Sequence, residues 1–171
     1  DESTPGIDVL LPDITYIAER ADDLEGIVLT HAHEDHLGAI PYLWQRLGCP
    51  IYATPFTAAF LRLKLTEVPW GREVEIVEID LGGRFRVGPF DLEYVSVAHS
   101  IPEPNALVLR SRVGTIVHTG DWKLDPTPVM GAPTDEATFR ALGDEGVLAL
   151  VGDSTGAMVQ EHSGSEAQVL E

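Results

Sequence analysis

Three imidazoles and two carboxylates fall within six consecutive positions, in the run His31-Ala32-His33-Glu34-Asp35-His36. Imidazole nitrogens and carboxylate oxygens are the donors that borderline divalent cations take. In an extended segment side-chain direction repeats every two residues, so His31 and His33 point the same way. Asp35 and His36 follow as the chain turns into a helix, where they can face a second ion beside the first. One short segment can thus serve two metals. A solvent-exposed histidine-rich loop is the plainer reading, but it does not account for this spacing.

Two further candidates lie at the ends of later apolar runs. His99 follows the strand expected over residues 90–97, and Asp121 follows the one over 115–119, in the run VHTGD. Taken singly, they are an ordinary loop histidine and an ordinary turn acid after Gly120. Beside the first cluster they become candidate ligands. A carboxylate has two oxygens and can bridge neighbouring cations, which suits Asp121 to a shared position.

These residues need elements that bring them together. Residues 25–30 (EGIVLT) read as a short apolar strand ending just before His31. Leu37, Ile40, Leu43, Trp44 and Leu47 then recur at helical spacing until Gly48 and Pro50 stop the helix, with Pro41 tolerated near its first turn. Thr54-Pro55 is a cap followed by proline at the first helical position, and it predicts a second helix carrying Phe56, Ala59, Phe60 and Leu63 inward. Residues 73–79, 84–87, 90–97 and 107–112 are rich in branched and aromatic side chains and predict adjacent, largely antiparallel strands. Further strands are expected over 115–119 and 147–151, with a helix over 134–142 between them. The whole reads as mixed α/β.

The chain has 171 residues, 44% hydrophobic, which suffices for one globular unit with its own core. Its longest apolar runs are a few residues, so no membrane span is expected, and the single Cys49 fits a reducing, intracellular setting. Eleven basic against 28 acidic residues give a formal charge of −17, which by itself argues against a polyanion as partner.

The ligand run resembles the H-x-H-x-D-H signature of the metallo-β-lactamase superfamily, with His99 and Asp121 in the places of its next two ligand motifs. The wider strings THAHEDHLGAIPYL, AHSIPEP, VHTGDWKLD and GDST resemble the ribonuclease J family of the β-CASP branch, and the similarity runs from PGIDVLLPD to SGSE. The resemblance implies a metallo-β-lactamase fold of the α+β sandwich type, with mixed, largely antiparallel sheets covered by helices. It implies that His31, His33 and His99 hold one ion, Asp35 and His36 the other, and that Asp121 bridges them. Asp153, in the GDST string, is similar to the acid that orients a histidine of the β-CASP domain. Asp35, Asp121 and Asp153 are then the catalytic carboxylates, while His118 takes a supporting or packing role.

The activity so implied is metal-dependent RNA cleavage, from a 5′ end and internally, through a metal-bridging hydroxide that attacks phosphorus. Zinc is the favoured ion and manganese the second choice. The implied setting is cytoplasmic RNA processing and decay, by a homo-oligomer in the full-length parent. By the same resemblance residues 1–155 form a partial metallo-β-lactamase domain, and residues 156–171, with an exposed His162, form an exit toward a β-CASP domain outside this sequence. The last histidine of the second ion is expected outside it too, so that the piece alone holds one ion tightly and turns over little RNA. A thioester or lactam hydrolase on the same fold, or an incomplete metal- or partner-binding module, are the alternatives.

Overall fold

A computed structural model describes residue 6, residues 9–161 and residues 163–169. His162 lies outside the described residues. Two sheets form the frame. Strands β1 (Ile27–Val28), β2 (Ile51–Ala53) and β3 (Ile76–Glu78) make a parallel sheet in that order. Strands β4 (Arg84–Val87), β5 (Phe90–Ser96), β6 (Asn105–Ser111), β7 (Gly114–His118) and β8 (Ala149–Val151) make the second, antiparallel except for the parallel β7–β8 pair.

Helices α1 (Thr15–Ala18), α2 (Glu34–Leu37), α3 (Ile40–Leu47) and α4 (Pro55–Leu65) lie on the parallel-sheet side of the sequence, and α5 (Glu136–Glu145) connects β7 to β8. Pro41 falls within the first two positions of α3, where its missing N–H costs no helical bond, and Gly48 ends that helix at φ +63°. Two apolar clusters result. Leu29, Leu37, Ile40, Ile51, Ala58 and Leu61 fill one, while Val95, Val97, Val108, Val117 and Leu142 fill the other. Tyr94 joins the sheets: from β5 its hydroxyl donates to the carbonyl of Leu29, 2.8 Å away, beside β1.

The structure departs from the sequence reading at four places. The helical run expected to carry Leu37 through Leu47 is interrupted at Gly38 and Ala39, which divides it into α2 and α3. Residues 73–79 do not join the antiparallel run; their core is β3, paired in parallel with β2, a strand that the periodicity did not reveal. Three residues are too short to show a period, and a parallel neighbour needs a helical crossover, here α4, before pairing. Helix α4 presents Thr57, Ala58, Leu61 and Leu65 to the core, whereas Ala59, Phe60 and Leu63 are exposed. Its apolar residues run almost all round, so spacing alone did not select a face. Residues 134 and 135 precede α5, because the Asp135 carboxylate accepts from the Thr138 N–H and so caps the helix. No helix among the described residues is long and apolar enough to cross a membrane.

Candidate metal centre

Three loops deliver the candidate ligands. The chain leaves β1 through Leu29 and Thr30 and reaches His31, which is fully buried. Hydrogen bonds hold this exit in place: the Thr30 carbonyl accepts from Asn105 N–H at 3.0 Å, and the Leu29 carbonyl accepts from the Tyr94 hydroxyl. His33 then sits immediately before α2, and Asp35 and His36 ride on its first turn. His99 follows β5 and Asp121 follows β7. Gly120 permits the last approach, because at φ +58° an added Cβ would meet the Asn105 carbonyl at 2.9 Å and Thr30 Cβ at 3.1 Å.

The donors of His31, His33, His99 and Asp121 converge so that all lie within 4.8 Å of one another, and so do those of Asp35, His36 and Asp121. Asp121 belongs to both groups. Its Oδ1 is 3.2 Å from His36 Nε2, while its Oδ2 is 3.7 Å from His99 Nε2 and 4.0 Å from His31 Nε2. Asp35 is the most open member, its carboxylate 3.6 Å from His36. Ring centroids of His31 and His99 are 5.0 Å apart, although 68 positions separate them in the chain (99 − 31).

The electrostatics favour the neutral, metal-binding form of His31 and His99. Burial, aided by the positive charge that His36 and His99 would carry, pushes His31 down to about 4 against the opposing pull of Asp121. Burial is also the main cause that lowers His99, with His33 next. Thr30 Oγ1 lies 3.0 Å from His31 Nδ1, while His31 Nε2 is buried with no hydrogen-bond partner among the described residues. An orphaned buried nitrogen costs about 1–3 kcal/mol, and a cation there would remove that cost. The donor set therefore fits a divalent ion.

Asp153 falls outside both clusters. Its carboxylate accepts from Thr155 N–H at 2.8 Å, which with the Thr155 hydroxyl and the nearby His99 holds it below the usual range. His118 accepts from Gly120 N–H at 3.0 Å and so shapes the turn that carries Asp121. Sequence reasoning missed Thr30, Asn105, Tyr94 and Thr119, whose hydroxyl accepts from Asp153 N–H at 3.0 Å. Only the adjacency of Thr30 and Thr119 to the ligand runs could have pointed to them.

Residues 5–141 match the family described as the β-lactamase superfamily domain. The chain belongs to that superfamily. Its members' fold is also seen in the Rm3 metallo-β-lactamase, which aligns with 77% of this chain and 58% of its own at a TM-score of 0.51 and 19% identity. Among curated relatives, a ribonuclease J of Sinorhizobium meliloti is 53% identical over 167 residues, covering 98% of this chain and 30% of that protein. The ribonuclease J 1 of Streptococcus pyogenes is 42% identical over 164 residues, covering 96% and 29%. The likeness to ribonuclease J read from the motifs is borne out, as is the metallo-β-lactamase fold. This superfamily chain spans about 30% of the length of the curated relatives it matches. Fold and donor set together suggest divalent metal binding.

Proposed function

We propose that this chain is the metal-binding part of a ribonuclease that hydrolyses RNA phosphodiester bonds, from a 5′ end and internally, with two divalent ions. The reading is carried by one observation: two donor groups share Asp121 in a chain 53% identical over 167 residues to a ribonuclease J. His31, His33 and His99 with Asp121 would hold one ion, and Asp35 and His36 with Asp121 the other. Four imidazoles in the combined set favour zinc, with manganese as the second choice. When bound, such ions acidify water and neutralise charge on phosphoryl oxygens.

The chain's own residues prepare that chemistry. Burial keeps His31 and His99 neutral near pH 7, and the Thr30 hydroxyl engages Nδ1 of His31, which leaves its Nε2 directed at Asp121. Asp121 offers one oxygen to each group, and Asp35 adds a second carboxylate. Asp153, held ionised near His99, would orient a partner imidazole. The charge of −17 opposes RNA over most of the surface, but two divalent ions add roughly four positive charges where the phosphate must sit.

Metal analysis gives the first test. The group with four donors should hold its ion more tightly than the group with three, so that titration with Zn2+ resolves a tight and a weaker site. The second test exchanges this chain for the matching region of the Sinorhizobium meliloti relative. The chimera should degrade a 5′-monophosphorylated RNA and lose that activity with His33→Ala. Hydrolysis of a lactam or thioester instead would transfer the site to small-molecule chemistry.

A further inference from the structure

His99 and Asp121 leave β5 and β7, and these strands are not neighbours, since β6 lies between them. The sheet therefore does not fix the distance between the two turns by direct pairing. A separate device does. Lys123 N–H donates to the Ala98 carbonyl at 2.9 Å, forming an isolated antiparallel bridge between the residue before His99 and the residue two beyond Asp121. The hydroxyl of Thr134 closes this bridge from the other side. It accepts from Ala98 N–H at 2.9 Å and donates to the Lys123 carbonyl at 2.9 Å.

A hydroxyl has one proton and two lone pairs, so it can serve both backbone groups at once. Thr134 is itself well anchored. The next residue, Asp135, donates its N–H to the Ser96 carbonyl at 3.0 Å, and its carboxylate caps α5, whose Leu142 packs with Val95 and Val97 of the core. The hydroxyl is thus referred to the rigid part of the fold and clamps two turns that carry candidate ligands.

We propose that Thr134 is a positioning residue of the metal centre, setting the separation of His99 and Asp121 through this double hydrogen bond. The proposal rests on the reading of the cluster as a divalent metal site. Groups that orient ligands from behind commonly change metal affinity about 10- to 100-fold when removed.

The test uses Co2+ as a spectroscopic probe on the 171-residue chain. Thr134→Val keeps the shape and removes both bonds; it should weaken Co2+ binding about tenfold or more and alter the visible absorption bands. Thr134→Ser keeps the hydroxyl and should restore both affinity and spectrum. Thr138→Ala, which removes only the hydroxyl on the Asp135 cap, should lower the melting temperature while leaving Co2+ affinity unchanged. If Thr134→Val does not fold, Thr134→Ala carries the same comparison. Unchanged affinity and spectrum in the folded hydroxyl-free variant, a Thr134→Ser as weak as Thr134→Val, or an equal loss in Thr138→Ala would each overturn the proposal. Failure of the wild-type chain to bind Co2+ would overturn it together with the metal-centre reading, so the two failures are distinct.

Discussion

At the scale of single residues, the site depends on the unequal duties of two aspartates. Asp121 is half-buried and shares its two oxygens between both donor groups, whereas Asp35 is open to solvent and approaches only His36. The two should therefore fail differently. Asp121→Asn removes a charge that both proposed sites would share and is expected to lower bound zinc at both. Asp35→Ala should remove the weaker ion and leave the tighter one in place. Metal content after dialysis against a fixed free zinc concentration separates the cases; equal loss in the two variants would contradict a shared Asp121.

At the scale of elements, the antiparallel sheet is tied across its strands by Glu93 of β5. Its carboxylate accepts from Arg84 of β4 at 2.9 Å and from Arg110 of β6 at 2.7 Å. Burial raises its pKa, but the hydrogen bonds and charges of Arg110 and Arg84 outweigh that and hold it below its ordinary value of 4.5. A depressed folded pKa means that the unfolded chain binds protons more readily. The stabilisation is then fully present above about pH 4.5 and fades as pH falls through the lower folded value. Both arginines keep contact with solvent, so the tie contributes only about 1 kcal/mol. Glu93→Gln should lower the melting temperature at pH 7 and differ less from wild type near pH 3. A difference independent of pH would show that packing, not charge, sets the effect.

At the scale of the whole molecule, residues 163–169 return to the loop that follows the candidate metal centre. The Glu166 N–H and Ser165 hydroxyl both donate to the Asp125 carboxylate, at 2.8 Å each, and Val129 N–H donates to Glu166 at 3.0 Å. Lys123 stands between Asp125 and Glu166, at 3.1 and 3.3 Å. The backbone N–H of Glu166 is the leading cause that holds Asp125 far below the usual carboxylate range. Asp125→Asn should therefore release this segment, seen as faster amide exchange at Glu166 and Val129, while the amides of β5 and β6 stay protected. Unchanged exchange at Glu166 would mean that the segment is held by other contacts.

The amino-acid sequence determined the donors and their local order. Histidines two apart at the end of an apolar strand, followed by an acid and a histidine at the start of a helix, are short-range features that backbone periodicity makes legible. The same holds for the Gly48 end of α3 and for the strands β4 to β7, whose turns and branched residues are local signals. The buried face of α4 and the parallel pairing of β3 were decided only by tertiary structure, because an all-round apolar helix and a three-residue strand carry no usable period. The same is true of the approach of His99 and Asp121 to His31. That approach is made by hydrogen bonds from Tyr94, Asn105 and Thr134, residues whose types are common in any chain. Their meaning comes from which backbone group each one reaches across the fold, and that is a property of packing over long sequence separations.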